Sequence, residues 1–207
     1  MDLTSASKIL KINLKRNFLP HFLIALIIVL FTPVVFGISS LDSVRSAQPL
    51  EMLLSLTGTV ILTPVFLPEQ NENIRDLIRS KKTDYTGICI MRVIYSVITL
   101  ALTTGVFVFI MRLCESDVGI KHFAGGFATA LFLGSLGFCT AGISKNISVG
   151  YMMSMIYYIA NFALKDKLGR FFIFSMSAGS FTEKYYLLLS SLVIIIFTLL
   201  TVRKYGK

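Results

Sequence analysis

FAGGFATALFLGSLGFCTAGI, residues 123–143, is followed by SKN, 144–146, and then by ISVGYMMSMIYYIANFAL, 147–164. Two apolar runs of roughly spanning length thus meet across only Ser144, Lys145 and Asn146, which predicts a tight turn between two membrane helices. A helix needs about 20 mostly apolar residues to cross the hydrocarbon core. Four further runs of this kind flank the pair, and the six candidate spans are Phe18–Ile38, Leu50–Leu67, Ile88–Met111, Phe123–Ile143, Ile147–Leu164 and Tyr185–Val202. The runs are continuous rather than alternating, so barrel strands are excluded. Composition agrees: 55% of the residues are hydrophobic, 15% are charged, and the mean hydropathy is +0.76. The expected class is an all-α membrane protein with a single transmembrane domain over residues 1–207.

Six spans put both termini on one side, and the distribution of basic residues says which. Of the 20 Lys and Arg, thirteen fall on the side of the termini, while Arg45, Arg112, Lys121, Lys165, Lys167, Arg170 and Lys184 make seven on the other. Both termini are therefore expected in the cytoplasm. The net charge of +9 becomes a topology signal, and nucleic-acid binding, which needs a basic soluble surface, is excluded. The first span follows a basic segment like a signal peptide but is longer than a typical signal core, so a retained helix is expected. Cys89, Cys114 and Cys139 are scattered and odd in number, and suggest neither a disulfide framework nor a metal site. In the absence of Trp, Tyr85, Tyr185 and Tyr186 stand at span ends as interfacial aromatics.

Four segments outside the spans are informative. Residues 3–17 read as a short N-terminal amphipathic interfacial helix, with Leu3, Leu10 and Leu14 on one stripe and Lys8, Lys11 and Lys15 beside it, facing anionic headgroups; a solvated basic tail is the plainer alternative. Residues 38–49 read as a short outer loop. Residues 68–85 are the longest polar segment, where Ile74, Leu77 and Ile78 share a helical face and acidic residues precede basic ones, as a helix dipole favours. Residues 165–184 contain Phe171, Phe172, Ile173 and Phe174, an apolar run too short to span; it reads as a re-entrant or interfacial element or as a folded loop. No internal repeat or low-complexity segment is present.

Catalytic chemistry is not visible. There is no zinc-protease, hydrolase-elbow or phosphate-loop motif, so the chain is not expected to be an enzyme or to split a nucleotide itself. The centres of the spans hold no ionisable residue, in contrast to ion-coupled transporters. Arg92 near the inner end of the third span and Glu51 near the outer end of the second are expected to snorkel to an interface. His21 is expected to be interfacial or hydrogen-bonded. On the fifth span Tyr151, Ser154, Tyr158 and Asn161 form one polar stripe, and Thr59 and Thr63 share a face of the second. These are candidates for lining a pathway, though interhelical hydrogen bonding is the commoner use of such groups. The pairs Ala130/Gly134 and Gly137/Ala141 on the fourth span predict close helix packing.

This arrangement resembles the membrane (permease) subunits of type-2 ABC exporters. The most specific part of the likeness is Phe66-Leu67-Pro68-Glu69-Gln70-Asn71-Glu72-Asn73-Ile74-Arg75-Asp76-Leu77-Ile78-Arg79-Ser80-Lys81, similar to the family's inner loop. The resemblance implies a cytoplasmic coupling helix between helices 2 and 3, and a short extracellular re-entrant or interfacial element before helix 6. It implies two copies of an ABC ATPase, holding ATP and Mg, docked through Glu69, Glu72, Ile74, Arg75, Leu77, Ile78 and Arg79. It also implies a second permease subunit, identical or homologous, a lipid surround, and a bacterial inner membrane. The pathway would carry a peptide, lipid or hydrophobic drug. An autonomous gradient-driven transporter or channel is the alternative; it would need ionisable groups inside the bundle.

Overall fold

The computed structural model describes residues 14–70 and 85–205. Among them there is no strand, and six helices are long and apolar enough to cross a membrane, which fits a multi-pass membrane protein. We number these spans α1 (Lys15–Phe36), α2 (Ser43–Pro68), α3 (Thr86–Leu113), α4 (Ile120–Ser144), α5 (Ile147–Leu164) and α6 (Thr182–Val202). With six spans, one end of the bundle carries the two termini and the α2–α3 connection. The other, here the distal end, carries the loops after α1, α3 and α5. The expected docking residues Glu72, Ile74, Arg75, Leu77, Ile78 and Arg79 lie outside the described residues, as does most of the expected N-terminal interfacial helix.

The bundle is built around α2 and α4. Their apolar windows are 72% and 67% buried, against 17% to 28% for the other four. Helix α4 packs on α2, α3, α5 and α6. Small residues allow the approach: a Cβ on Gly58 of α2 would overlap the carbonyl of Ala130 on α4, and one on Gly150 of α5 would crowd the carbonyl of Gly137. With lipid outside and apolar side chains inside, burial alone gives little drive to associate, so van der Waals contact at such close crossings carries much of the packing. Leu62, Ile61, Phe138, Leu131 and Leu100 fill the space around the crossing.

Helix α2 begins earlier than hydropathy predicts, and residues 43–48, expected in a loop, are helical. Asp42 caps this turn by accepting from the Arg45 amide at 2.9 Å. Its polar Ser46 is fully buried, which is why an apolar window misses it. At Pro49 there is no N–H for the ordinary i→i−4 bond, and the helix widens to a π register over Pro49–Leu54 before returning to α over Leu56–Leu62. With Pro64 and Pro68 removing two more donors, the last stretch, Thr63–Gln70, tightens to a 3₁₀ helix.

The α4–α5 connection is the expected tight turn: Lys145 adopts a left-handed conformation (φ 56°), and the Asn146 side chain caps α5 by accepting from the Ser148 amide at 2.9 Å. Between α5 and α6, two short 3₁₀ turns, Lys165–Phe171 and Met176–Ala178, fold back against the distal end. Ile173, Phe174 and Met176 are buried there. Arg170 stacks over the Tyr186 ring at 4.9 Å from its centroid.

Candidate functional site

Glu51 sits on the π turn of α2, and Lys184 on the first turn of α6. Both were expected near an aqueous interface. Instead Glu51 is 0% exposed and Lys184 5%, and Lys184 Nζ lies 2.6 Å from Glu51 Oε1. Snorkelling is replaced by pairing because each charge has a complete set of protein partners. Glu51 Oε1 also accepts from the Met176 amide at 2.8 Å, and Oε2 accepts from the Ser177 amide at 2.9 Å and from the Ser177 hydroxyl. Lys184 Nζ donates to Thr129 Oγ1 at 2.7 Å and to the Ile173 carbonyl. An ammonium has three protons to place, and here each has an acceptor. Thr129 passes its own proton to the Gly125 carbonyl at 2.9 Å.

The local sequence makes this geometry available. The turn after Ser175 aims two successive amides at the carboxylate. Gly125 leaves room for Met176, whose sulfur occupies the place a Cβ would take. One network thereby joins α2, α4, α6 and the 172–178 segment. Losing either charged partner would leave a buried, uncompensated charge, typically a loss of about 3–5 kcal/mol.

A second buried charge lies at the other end of α2. Arg92 of α3 is 5% exposed rather than snorkelled, and its Nη1 donates to the Val65 carbonyl at 3.0 Å. In a 3₁₀ helix the donor for that carbonyl would be the amide three residues on. That residue is Pro68, which has none, so the guanidinium fills the place.

The polar stripe of α5 is spent largely on its neighbours. Ser154 donates to the Leu133 carbonyl of α4 at 2.9 Å, and Tyr158 to the Met52 carbonyl of α2. Asn161 donates to Tyr157 O at 2.8 Å and accepts from the Ile173 amide at 3.0 Å. Tyr151 is half-buried. Thr59 and Thr63 are buried where α2 meets α4, and neither hydroxyl has a hydrogen-bond partner among the described residues. Of the expected ATPase-docking set, Glu69 alone falls within a described helix, in the 3₁₀ tail of α2. His21 bonds to the Asn17 carbonyl at 2.7 Å. His122 is buried, with Nε2 2.9 Å from the Ser43 carbonyl.

Sequence reading missed the partnership of Glu51, Lys184, Thr129 and Ser177. The available signal was an acid and a base assigned to the same end of the bundle, each beside an apolar run. Among the described residues no group of three or more His, Cys, Asp or Glu could hold a metal. Ser43 Oγ lies 3.3 Å from His122 Nε2, and the Glu51–Lys184 arrangement is suited to holding helices together. No family model, curated protein or solved structure matches this chain.

Proposed function

We propose that this chain is the permease subunit of an ATP-driven exporter of the type-2 ABC class, working with a separate ATPase and a second permease copy or homologue. The observation that carries the reading is the course of α2. It is a buried central helix whose 3₁₀ tail leads straight into the polar segment that begins at Glu69. A helix buried along most of its length cannot shift without moving its neighbours. A partner gripping the segment after it would therefore act on the whole bundle. In this reading Ile74, Leu77 and Ile78 fill an apolar groove on the ATPase, while Glu69, Glu72, Arg75 and Arg79 fix its orientation. ATP and Mg belong to the partner. Its affinity must differ between the inward- and outward-facing states for hydrolysis to drive transport. The termini and the 71–84 segment are cytoplasmic, the membrane is a bacterial inner membrane, and the cargo is amphipathic: a peptide, lipid or hydrophobic drug.

The test is co-purification of the tagged chain from its native membrane in mild detergent. The wild type brings down a stoichiometric ATPase. The double variant Leu77→Asp/Ile78→Asp, with helix content unchanged by circular dichroism, loses it by about tenfold or more. Full retention of the ATPase by that variant contradicts the docking assignment.

A gradient-driven transporter is the second reading, and the buried Glu51–Lys184 pair is the observation that favours it, since it places ionisable groups inside the bundle. Proteoliposomes containing this chain alone decide the matter. Flux driven by a proton gradient without ATP, abolished by Glu51→Gln, would favour it over the permease.

A further inference from the structure

The segment between α5 and α6 is bracketed by two glycines in left-handed conformations, Gly169 (φ 52°) and Gly179 (φ 86°). A side chain built at either would meet nothing within 4 Å. Both ends of the segment thus turn in open space, at residues whose backbones have the widest choice of conformations. Between them, Ile173, Phe174, Ser175 and Met176 are buried, while Ala178 and Gly179 are exposed. The buried stretch is anchored to α5 by Tyr157, which donates to the Phe171 carbonyl at 2.7 Å, and by Asn161, which accepts from the Ile173 amide. Its remaining polar anchors converge on the ion pair: two amides and a hydroxyl on Glu51, and one carbonyl on Lys184.

We infer that residues 170–178 are a hinged lid over the distal end of the bundle, latched shut by the Glu51–Lys184 pair. The pair is the natural release point. Its charges are buried only while the lid supplies their remaining partners, and with the lid lifted both face the distal aqueous side. A buried ion pair offers little advantage over a well-packed apolar contact as a mere fastener, whereas it is well suited to a contact that must come undone into water. Opening uncovers Glu51, Lys184 and Thr129 together, a polar site between α2, α4 and α6. The lid stands independently of the permease reading, because it requires neither an ATPase nor a second subunit.

Hydrogen–deuterium exchange of the full-length chain in phospholipid nanodiscs tests the lid. In Glu51→Gln the peptide covering 172–181 should exchange about a hundredfold faster than in the wild type. The peptides of α4 and of α6 beyond Leu187 should keep their wild-type rates. Ser177→Ala keeps both charges and removes one hydroxyl donor; it should speed the same peptide by about tenfold. If Glu51→Gln does not yield folded protein, Ser177→Ala carries the test alone. Unchanged exchange over 172–181 overturns the lid. So does acceleration shared equally by α2, α4 and α6, which would make the pair a fastener of the whole fold.

Discussion

The two ends of α2 are each held by a buried charge, in different ways. At the distal end Glu51 meets Lys184, and the pair binds four elements with every charged atom partnered. At the other end Arg92 meets a carbonyl that Pro68 leaves without its usual donor. The first couples positions 133 residues apart in sequence; the second mends a local defect of one helix. Removing one partner of the first strands a charge, whereas removing Arg92 takes from the Val65 carbonyl the donor that stands in for Pro68. The same helix is thus fastened at one end by a charge pair whose loss is costly, and at the other by a guanidinium on a carbonyl that Pro68 leaves without its usual donor.

The comparison can be broken by substitution, with unfolding free energies measured by denaturant titration in mixed micelles and helix content read by circular dichroism. The largest effect is expected at the distal end: Glu51→Gln and Lys184→Met should each lower stability by about 3–5 kcal/mol. At the crossing between the two ends, Gly58→Ala drives a methyl into the Ala130 backbone and should cost about 1–3 kcal/mol. Gly126→Ala, whose added methyl would meet Leu50 at an ordinary 3.4 Å, should cost under about 1 kcal/mol. Arg92→Leu should cost about 1–3 kcal/mol, the penalty of an unsatisfied buried carbonyl. Smallest of all, Thr63→Val should fall within about 0.5 kcal/mol of the wild type or gain slightly, because it removes a buried hydroxyl that has no partner among the described residues. A cost for Arg92→Leu as large as that for Glu51→Gln would erase the distinction between the two ends.

Much of this fold is legible in the sequence. Apolar runs mark the six helices, and the small-residue pairs on α4 mark where others approach it closely. The turn at Ser144–Asn146 is read almost to the residue, because Ser144, Lys145 and Asn146 are the only polar punctuation between two apolar runs. The start of α2 is not legible. Hydropathy weighs Ser46 and Glu51 against burial, whereas the partners of Glu51, Met176, Ser177 and Lys184, are distant in sequence and meet it only when the chain is folded; Ser46 is held locally by the Leu41 carbonyl at 3.3 Å. The same blindness hides Lys184, which by position looks like one more basic residue at a span end. The π turn is hinted at by Pro49 alone, since a proline tells that a helix must adjust but not how. The α5 stripe was visible as a stripe, but only the structure shows its hydrogen bonds going to Leu133, Met52 and Ile173.

The central claim is that Glu51 and Lys184 act as one unit in latching the 172–178 segment onto the bundle. A double-mutant cycle tests it most directly, with Glu51→Gln, Lys184→Met and the double variant measured by the same mixed-micelle titration. The double variant should cost less than the sum of the singles, with a coupling of about 2 kcal/mol or more. Additivity to within about 0.5 kcal/mol would mean that the two charges are buried side by side without depending on one another, and would contradict the account.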